Sequence, residues 1–363
     1  MASPELLQHA QHHFTHRLRA SLPELLRPIA GQQPAGNALK GSGVQQAILN
    51  ARRADAAHLP LGPWQHELKR ADWDAVATLV CDALQRHGKD LQLAAWLLEA
   101  EIHRSGFAGV APCLVLMEEL LLRFGADLHP QDADGGAEHR ANVLRWMNRK
   151  LLPPLKQLPL TSTGDADFGW ADREAAWRNE QHKPGSGDAA EGPPLQAVTD
   201  AMARTPSEHH LAVHRELRLA LGALDTLVQA VDGSFTGERP SLAGLAGLLR
   251  QILSAVEGEL RRRGIEPTPA PQAEVPVSPE SPAAAPRRMT ADDRAHAYEL
   301  LEQAARMLLQ TDPHSPAPYL VQRAIEWGRL STSELYQELF IRKGGQLSIF
   351  ELLGLETPQA QAE

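Results

Sequence analysis

One pattern governs what this chain can fold into: apolar residues, mostly Leu and Ala, that return at spacings of three and four. Trp73, Val76, Leu79, Val80, Ala83 and Leu84 form the first strong stripe. Leu91, Ala94, Ala95, Leu98 and Ile102 form the next, and Phe107, Val110, Leu114, Met117, Leu121 and Phe124 a third. Val143, Trp146, Met147 and Leu151 repeat it. A period near 3.6 puts each set on one face, which predicts amphipathic helices. The stripes stop at Ser105-Gly106, at Gly125 and at Pro153-Pro154. Their short connections require neighbouring helices to pack roughly antiparallel. Two more stripes follow, Val213, Leu217, Leu221, Leu224, Val228 and Val231, then Leu245, Leu248, Leu249, Ile252, Val256 and Leu260. Residues Gly233 to Pro240 make the turn between them. Aromatics are only 5% of the chain, and strands draw on aromatic and β-branched residues, so the expected fold class is all-α.

Punctuation divides the 363 residues further. Ser3-Pro4-Glu5 reads as a helix start, Ser as N-cap and Pro at the first position, for a helix to about Arg19. Pro28, Gly31, Pro34, Gly36, Gly41 and Gly43 predict no regular element over 28–43. A Gly- and Pro-rich stretch at 183–194 separates an amino-terminal helical domain, 1–182, from a middle helical pair, 195–264. Seven prolines between Glu266 and Met289 then mark a linker, 265–289, with too little apolar surface to offset its ordering entropy. Fully extended at ~3.1 Å per residue, such a linker reaches about 75 Å. A small helical unit, 290–363, follows. Ala297, Leu301, Ala304, Ala305 and Leu308 supply its first stripe, and Ser331-Thr332-Ser333-Glu334 a capping-box start for the next helix.

Composition excludes several functions. The net charge is −9, from 36 basic and 45 acidic residues, and no long basic run offers a nucleic-acid face. Arg261-Arg262-Arg263 reads as a solvated helix end whose arginines complement the helix dipole. Cys81 and Cys113 sit among helical apolar residues and read as buried free thiols. Gln8, His9, Gln11, His12 and His13 interrupt any signal-peptide core, and nowhere do ~18 apolar residues run together. A cytoplasmic location without a membrane span is expected.

Motifs for chemistry are weak. His9, His13 and His16 share one helix face, fair geometry for zinc, but no H-E-x-x-H pattern or nearby acidic partner supports it. His210 and His214 repeat the spacing with the same weakness. Asp132-Ala133-Asp134 begins like a calcium loop, yet Gly136 and Val143 occupy ligand positions. No P-loop, dinucleotide fingerprint or nucleophile elbow occurs. The expectation is no catalytic residue, no cofactor and no metal. A monomeric or dimeric helical binding module, and a His-based metalloenzyme, are the alternatives to an assembly scaffold.

Three stretches are more specific. One runs from Pro28-Ile29-Ala30-Gly31 through Pro34, Gly36 and Leu39. The second joins Gly62-Pro63-Trp64 to Asp72-Trp73, Lys89-Asp90-Leu91-Gln92, Trp96 and Gly106-Phe107. The third is Asp312-Pro313-His314-Ser315-Pro316, leading to Tyr319-Leu320 and Trp327-Gly328. Together they resemble the short branch of TssA proteins of bacterial type VI secretion systems, which open with an ImpA-type amino-terminal domain. That resemblance implies a scaffold that binds baseplate components and coordinates assembly of tail tube and sheath. It also implies a carboxy-terminal oligomerisation domain that forms a ring of five- or six-fold symmetry, hence ten or twelve copies. A unit of ~70 residues rarely obtains more than about 3–5 kcal/mol from its own core. This one spends Leu335, Leu339, Phe340, Ile349, Phe350 and Leu353 on two short helices. These, with Tyr319, are the expected oligomerisation contacts. Trp64, Trp73 and Trp96 are expected as core anchors.

Overall fold

The computed structural model describes residues 1–31, 33–54, 69–131, 137–164, 167–181, 192–235, 239–266, 301–307 and 317–329. Among them there is no β-strand, only three isolated bridges, so the described chain is all-α. It forms two compact units, Met1–Gln272 and Ala273–Glu363.

The first unit begins with α1 (Pro4–Arg17), whose N-cap Ser3 accepts from the Leu6 amide at 3.3 Å. A capping box of Ser21 and Glu24 starts the one-turn α2 (Leu22–Leu25). Ser42 caps α3 (Gly43–Arg52), and Asp72 caps α4 (Trp73–Arg86) by accepting from the Ala75 amide at 2.9 Å. Asp90 caps α5 (Leu91–Ser105) through the Gln92 amide at 2.7 Å. Side-chain oxygens at these starts satisfy amides the helix cannot reach. Gly106, at φ +63°, ends α5, and a short 3-10 turn, Gly106–Gly109, leads into α6 (Val110–Phe124). Gly125, at φ +50°, ends α6.

Then come α7 (Glu138–Lys150), α8 (Leu152–Gln157), α9 (Trp170–Gln181) and α10 (Leu195–Arg204). The long pair α11 (Ser207–Ser234) and α12 (Ala243–Arg262) completes the unit. Pro153 and Pro154, read in the sequence as a stop, follow the end of α7 at Lys150 and also open α8 in its first turn, where a missing amide costs nothing.

Helix α6 is buried on nearly every side, and its neighbours define the architecture. It packs most extensively on α11 and also on α5 and α1. The helical pair that the sequence sets apart at 195–264 therefore shares one continuous core with the helices before it. The physical reason lies in the stripes. Residues Leu217, Leu224, Leu227 and Val231 need more cover than α12 provides, and α6, apolar over most of its surface, supplies it.

Within Leu91–Asp127 an 18-residue stretch of mean hydropathy 1.6 is apolar enough to pass for a membrane span by length and composition. That stretch is 78% buried inside the unit, and the run, broken at Gly106, is the core helix pair of this domain.

Arg263 departs from the reading of a solvated helix end. Its guanidinium donates to the carbonyls of Thr205 and Met202 at 2.7 Å and of Ala203 at 3.0 Å. Glu259, buried one turn earlier, holds its Nε at 2.8 Å. One arginine at the end of α12 thus caps the open carbonyls of α10.

In the second unit residues 301–307 are helical, and a helix here labelled α13 spans Ala317–Arg329. Ala305 and Ile325 are buried, and Tyr319 is 53% exposed.

Candidate interaction surface

Two features of the first unit gather the polar side chains. The first is a knot of loops that contains several positions of the family resemblance. Pro34 accepts the Ile29 amide at 2.9 Å through its carbonyl. Gly36, at φ +71°, pairs with Gly88, and an added Cβ on it would lie 2.4 Å from the His87 carbonyl oxygen. A Cβ on Gly88 would meet the Asn37 oxygen at 2.3 Å. His129 joins by its Nε2, 3.0 Å from the Gly36 oxygen, and its backbone pairs with Asp90.

Lys89 closes the knot from inside. Its ammonium, wholly removed from solvent, donates to Leu25 O at 2.7 Å and Leu84 O at 2.5 Å. Those carbonyls belong to the last turns of α2 and α4, so Lys89 caps two helices at once. The Phe124 ring lies 6.0 Å away. Burial without a carboxylate partner pushes the Lys89 pKa down to about 8. The Asp90 carboxyl beside it is pushed up, also by burial.

The second feature is a polar cleft of about 820 Å³ where α1 and α5 end and α4 begins. Arg17 and Arg19 reach it from the end of α1, Arg70 from the approach to α4, and His103 and Arg104 from the last turn of α5. Cations gather at helix carboxyl ends because the dipole there is negative. Trp73, half-buried, lies flat on the His103 ring with centroids 4.3 Å apart and planes at 5°.

Arg104 is held in place from both sides. Its Nε donates to Asp74 at 2.6 Å, and its Nη1 donates to Glu101. Glu101 is fully buried and also takes the Ser105 hydroxyl at 2.9 Å, with His13 Nε2 at 2.6 Å. Burial alone would push the Glu101 carboxyl up, but the His13 bond and the Arg104 charge outweigh it and leave it below its usual value. Gly109 must lack a side chain here, because a Cβ would sit 2.7 Å from that of Glu101.

A second hollow, of about 590 Å³, shares His16 and Arg17 with the first and adds His9, His12 and Arg215. The His12 and His16 rings stand 4.3 Å apart. His9 lies 3.5 Å from Glu216, and burial lowers its pKa.

The histidines considered for metal do not converge. His13 faces inward to Glu101, His9 faces Glu216, and His16 is exposed beside His12. His210 is buried with its Nε2 3.1 Å from the Met202 carbonyl, and His214 lies 3.4 Å from Glu257. Among the described residues no group of three His, Cys, Asp or Glu is placed to hold an ion.

Other positions singled out by resemblance have local structural duties. Asp72 and Asp90 are caps, Gly106 ends a helix, and Phe107 is buried. Trp96 is buried under the Arg52 guanidinium, 5.1 Å from the ring, and Glu99 pairs with that arginine at 2.6 Å. Trp64, His314, Ser315 and Pro316 lie outside the described residues, as do the calcium-like run Asp132–Asp134 and the 267–289 part of the linker. So do Leu335, Leu339, Phe340, Ile349, Phe350 and Leu353.

Fold and loop knot together define a class: an all-α protein whose amino-terminal helices are tied by a tight knot of loops. Residues 26–149 match the family model described as ImpA, N-terminal, type VI secretion system. The chain is 26% identical over 336 residues to the type VI secretion system component TssA1 of Pseudomonas aeruginosa, covering 84% of this chain and 90% of that one. Its structure is similar to the amino-terminal domain, including the conserved ImpA_N region, of the TssA component from Burkholderia cenocepacia. There the TM-score is 0.60 at 28% identity, over 68% of this chain and 95% of that one. Over most of its length the chain is thus similar to TssA components of type VI secretion systems.

Proposed function

We propose that this chain is a non-enzymatic scaffold of the type VI apparatus, which binds the baseplate and coordinates polymerisation of tail tube and sheath. The observation that carries this reading is the extent of the likeness to TssA1. At 84% of the chain it exceeds what Met1–Gln272 alone can supply, so both units take part in it. The first unit is the binding head, and the second assembles into a ring of ten or twelve copies. Tyr319, more than half exposed on α13, and the apolar residues Leu335, Leu339, Phe340, Ile349, Phe350 and Leu353 make the ring contacts. Gathering several heads on one hub raises the effective concentration of each partner site. The protein acts in the cytoplasm, crosses no membrane, takes no cofactor and binds no nucleic acid.

Deletion of the gene in its host, with the sheath fluorescently labelled, tests the role. Sheath assembly is expected to fall sharply, with rescue by the full chain and none by residues 1–266. Normal assembly in the deletion strain contradicts the proposal.

A further inference from the structure

The chain carries 45 acidic residues against 36 basic, yet the cleft between α1, α4 and α5 reverses that balance. Its two acids are already engaged. Asp72 accepts from the Ala75 amide, and Asp74 accepts from Arg104. Arg17, Arg19 and Arg70 carry no ion pair among the described residues, although they line one concavity from two segments, the end of α1 and the approach to α4. A solvated helix end accounts for Arg17 alone. It does not account for Arg70 and Arg104 facing the same space, nor for the buried Glu101–His13 support that fixes Arg104.

We propose that this cleft docks an acidic segment of a partner protein, whose carboxylates pair with Arg17, Arg19 and Arg70 while its chain lies over Trp73. The inference stands on the cleft alone and goes beyond the ring and the assembly role. Guanidinium groups suit the occupant because their planar fork binds carboxylate bidentately. Trp73, backed by His103, adds a flat platform for backbone or side chain. A second hollow lies on the other side of His16 and Arg17, which line both, so an extended segment has polar surface beyond the first cleft.

Peptide is favoured over nucleic acid by the walls. Asp72 and Asp74 lie in the first hollow, and Glu5 and Glu216 in the second. A polymer with a charge at every phosphate meets these acids at close range, and a net charge of −9 adds long-range repulsion. A peptide can space its carboxylates to match the arginines.

Fluorescence anisotropy on the full-length protein tests this, with a fluorescein-labelled ten-residue peptide of alternating glutamate and alanine as probe. Its glutamine counterpart and a ten-nucleotide single-stranded DNA serve as comparisons. The glutamate peptide is expected to bind, to weaken with added salt, and to lose at least about tenfold in affinity in the double variant Arg17→Glu, Arg70→Glu. Arg19 is left in place because its backbone sits at φ +52°. The milder pair Arg17→Gln, Arg70→Gln, at two exposed positions, should show the same direction with unchanged helicity. Arg250→Glu, on exposed α12 surface, should bind as wild type does. Equal affinity in wild type and both double variants overturns the proposal. So does binding of the glutamine peptide, or of DNA, as tightly as the glutamate peptide.

Discussion

At residue scale the loop knot shows what single atoms decide. Gly36 and Gly41 both have positive φ, but only Gly36 faces a backbone oxygen at 2.4 Å from its added Cβ; around Gly41 nothing lies within 4 Å. Gly36→Ala, and likewise Gly88→Ala, should therefore cost about 3 kcal/mol or more, and Gly41→Ala about 1 kcal/mol. Urea unfolding of the three variants measures the difference, and equal losses at Gly36 and Gly41 would refute the contact argument. Lys89 makes a pH-dependent contribution. Its folded pKa of about 8 lies below the usual 10.5, so between those values the unfolded chain holds more protons at this site. Stability from this group thus rises with pH across that window and is lost as pH falls through about 8. Cys81, pushed up to about 12 by burial, acts in the opposite direction above about pH 9, so the comparison must be with Lys89→Met at each pH. Relative to that variant, the wild type should gain stability from pH 7.5 to 9.5. The Lys89-Asp90 pair was visible in the sequence only as part of a resemblance. A lysine that caps two helices looks, in sequence, like any solvated lysine.

At the scale of elements, the period of three and four was legible because packing acts on whole faces. It located α4, α5, α6, α7, α11 and α12. It missed what rests on contacts far apart in the chain or on too few residues for a period. The one-turn α2 and the polar α9 carry no strong stripe, and Pro153-Pro154 can stop a helix or start one. The cleft was equally hidden, since Arg17, Arg70 and Arg104 meet only after folding. Arg263 belongs to this scale, because it ties the end of α12 to the carbonyls closing α10. Arg263→Ala removes the donor to the Thr205 and Ala203 carbonyls and one of the two arginines on the buried Glu259, and should cost about 1–3 kcal/mol. Arg263→Lys, one donor group in place of a fork, should recover less than half of that. Hydrogen exchange should show the loss concentrated at the end of α10. Uniform loss over the unit would point elsewhere.

At the scale of the molecule, the first unit is a single core built around α6, which explains why the middle pair cannot be separated from the helices before it. In sequence the two looked like neighbours with a loop between them. Only the apolar run Val110–Met117 and Leu120–Leu122 of α6, wider than one face, hinted that another layer had to cover it. The second unit is where assembly is proposed to reside, and copy number is its direct consequence. Light scattering on the full-length protein, repeated over a tenfold concentration range and on residues 290–363, measures it. The expected mass for both is ten or twelve copies, stable to dilution. A monomer or dimer at every concentration would contradict the ring and, with it, the proposed mode of scaffolding.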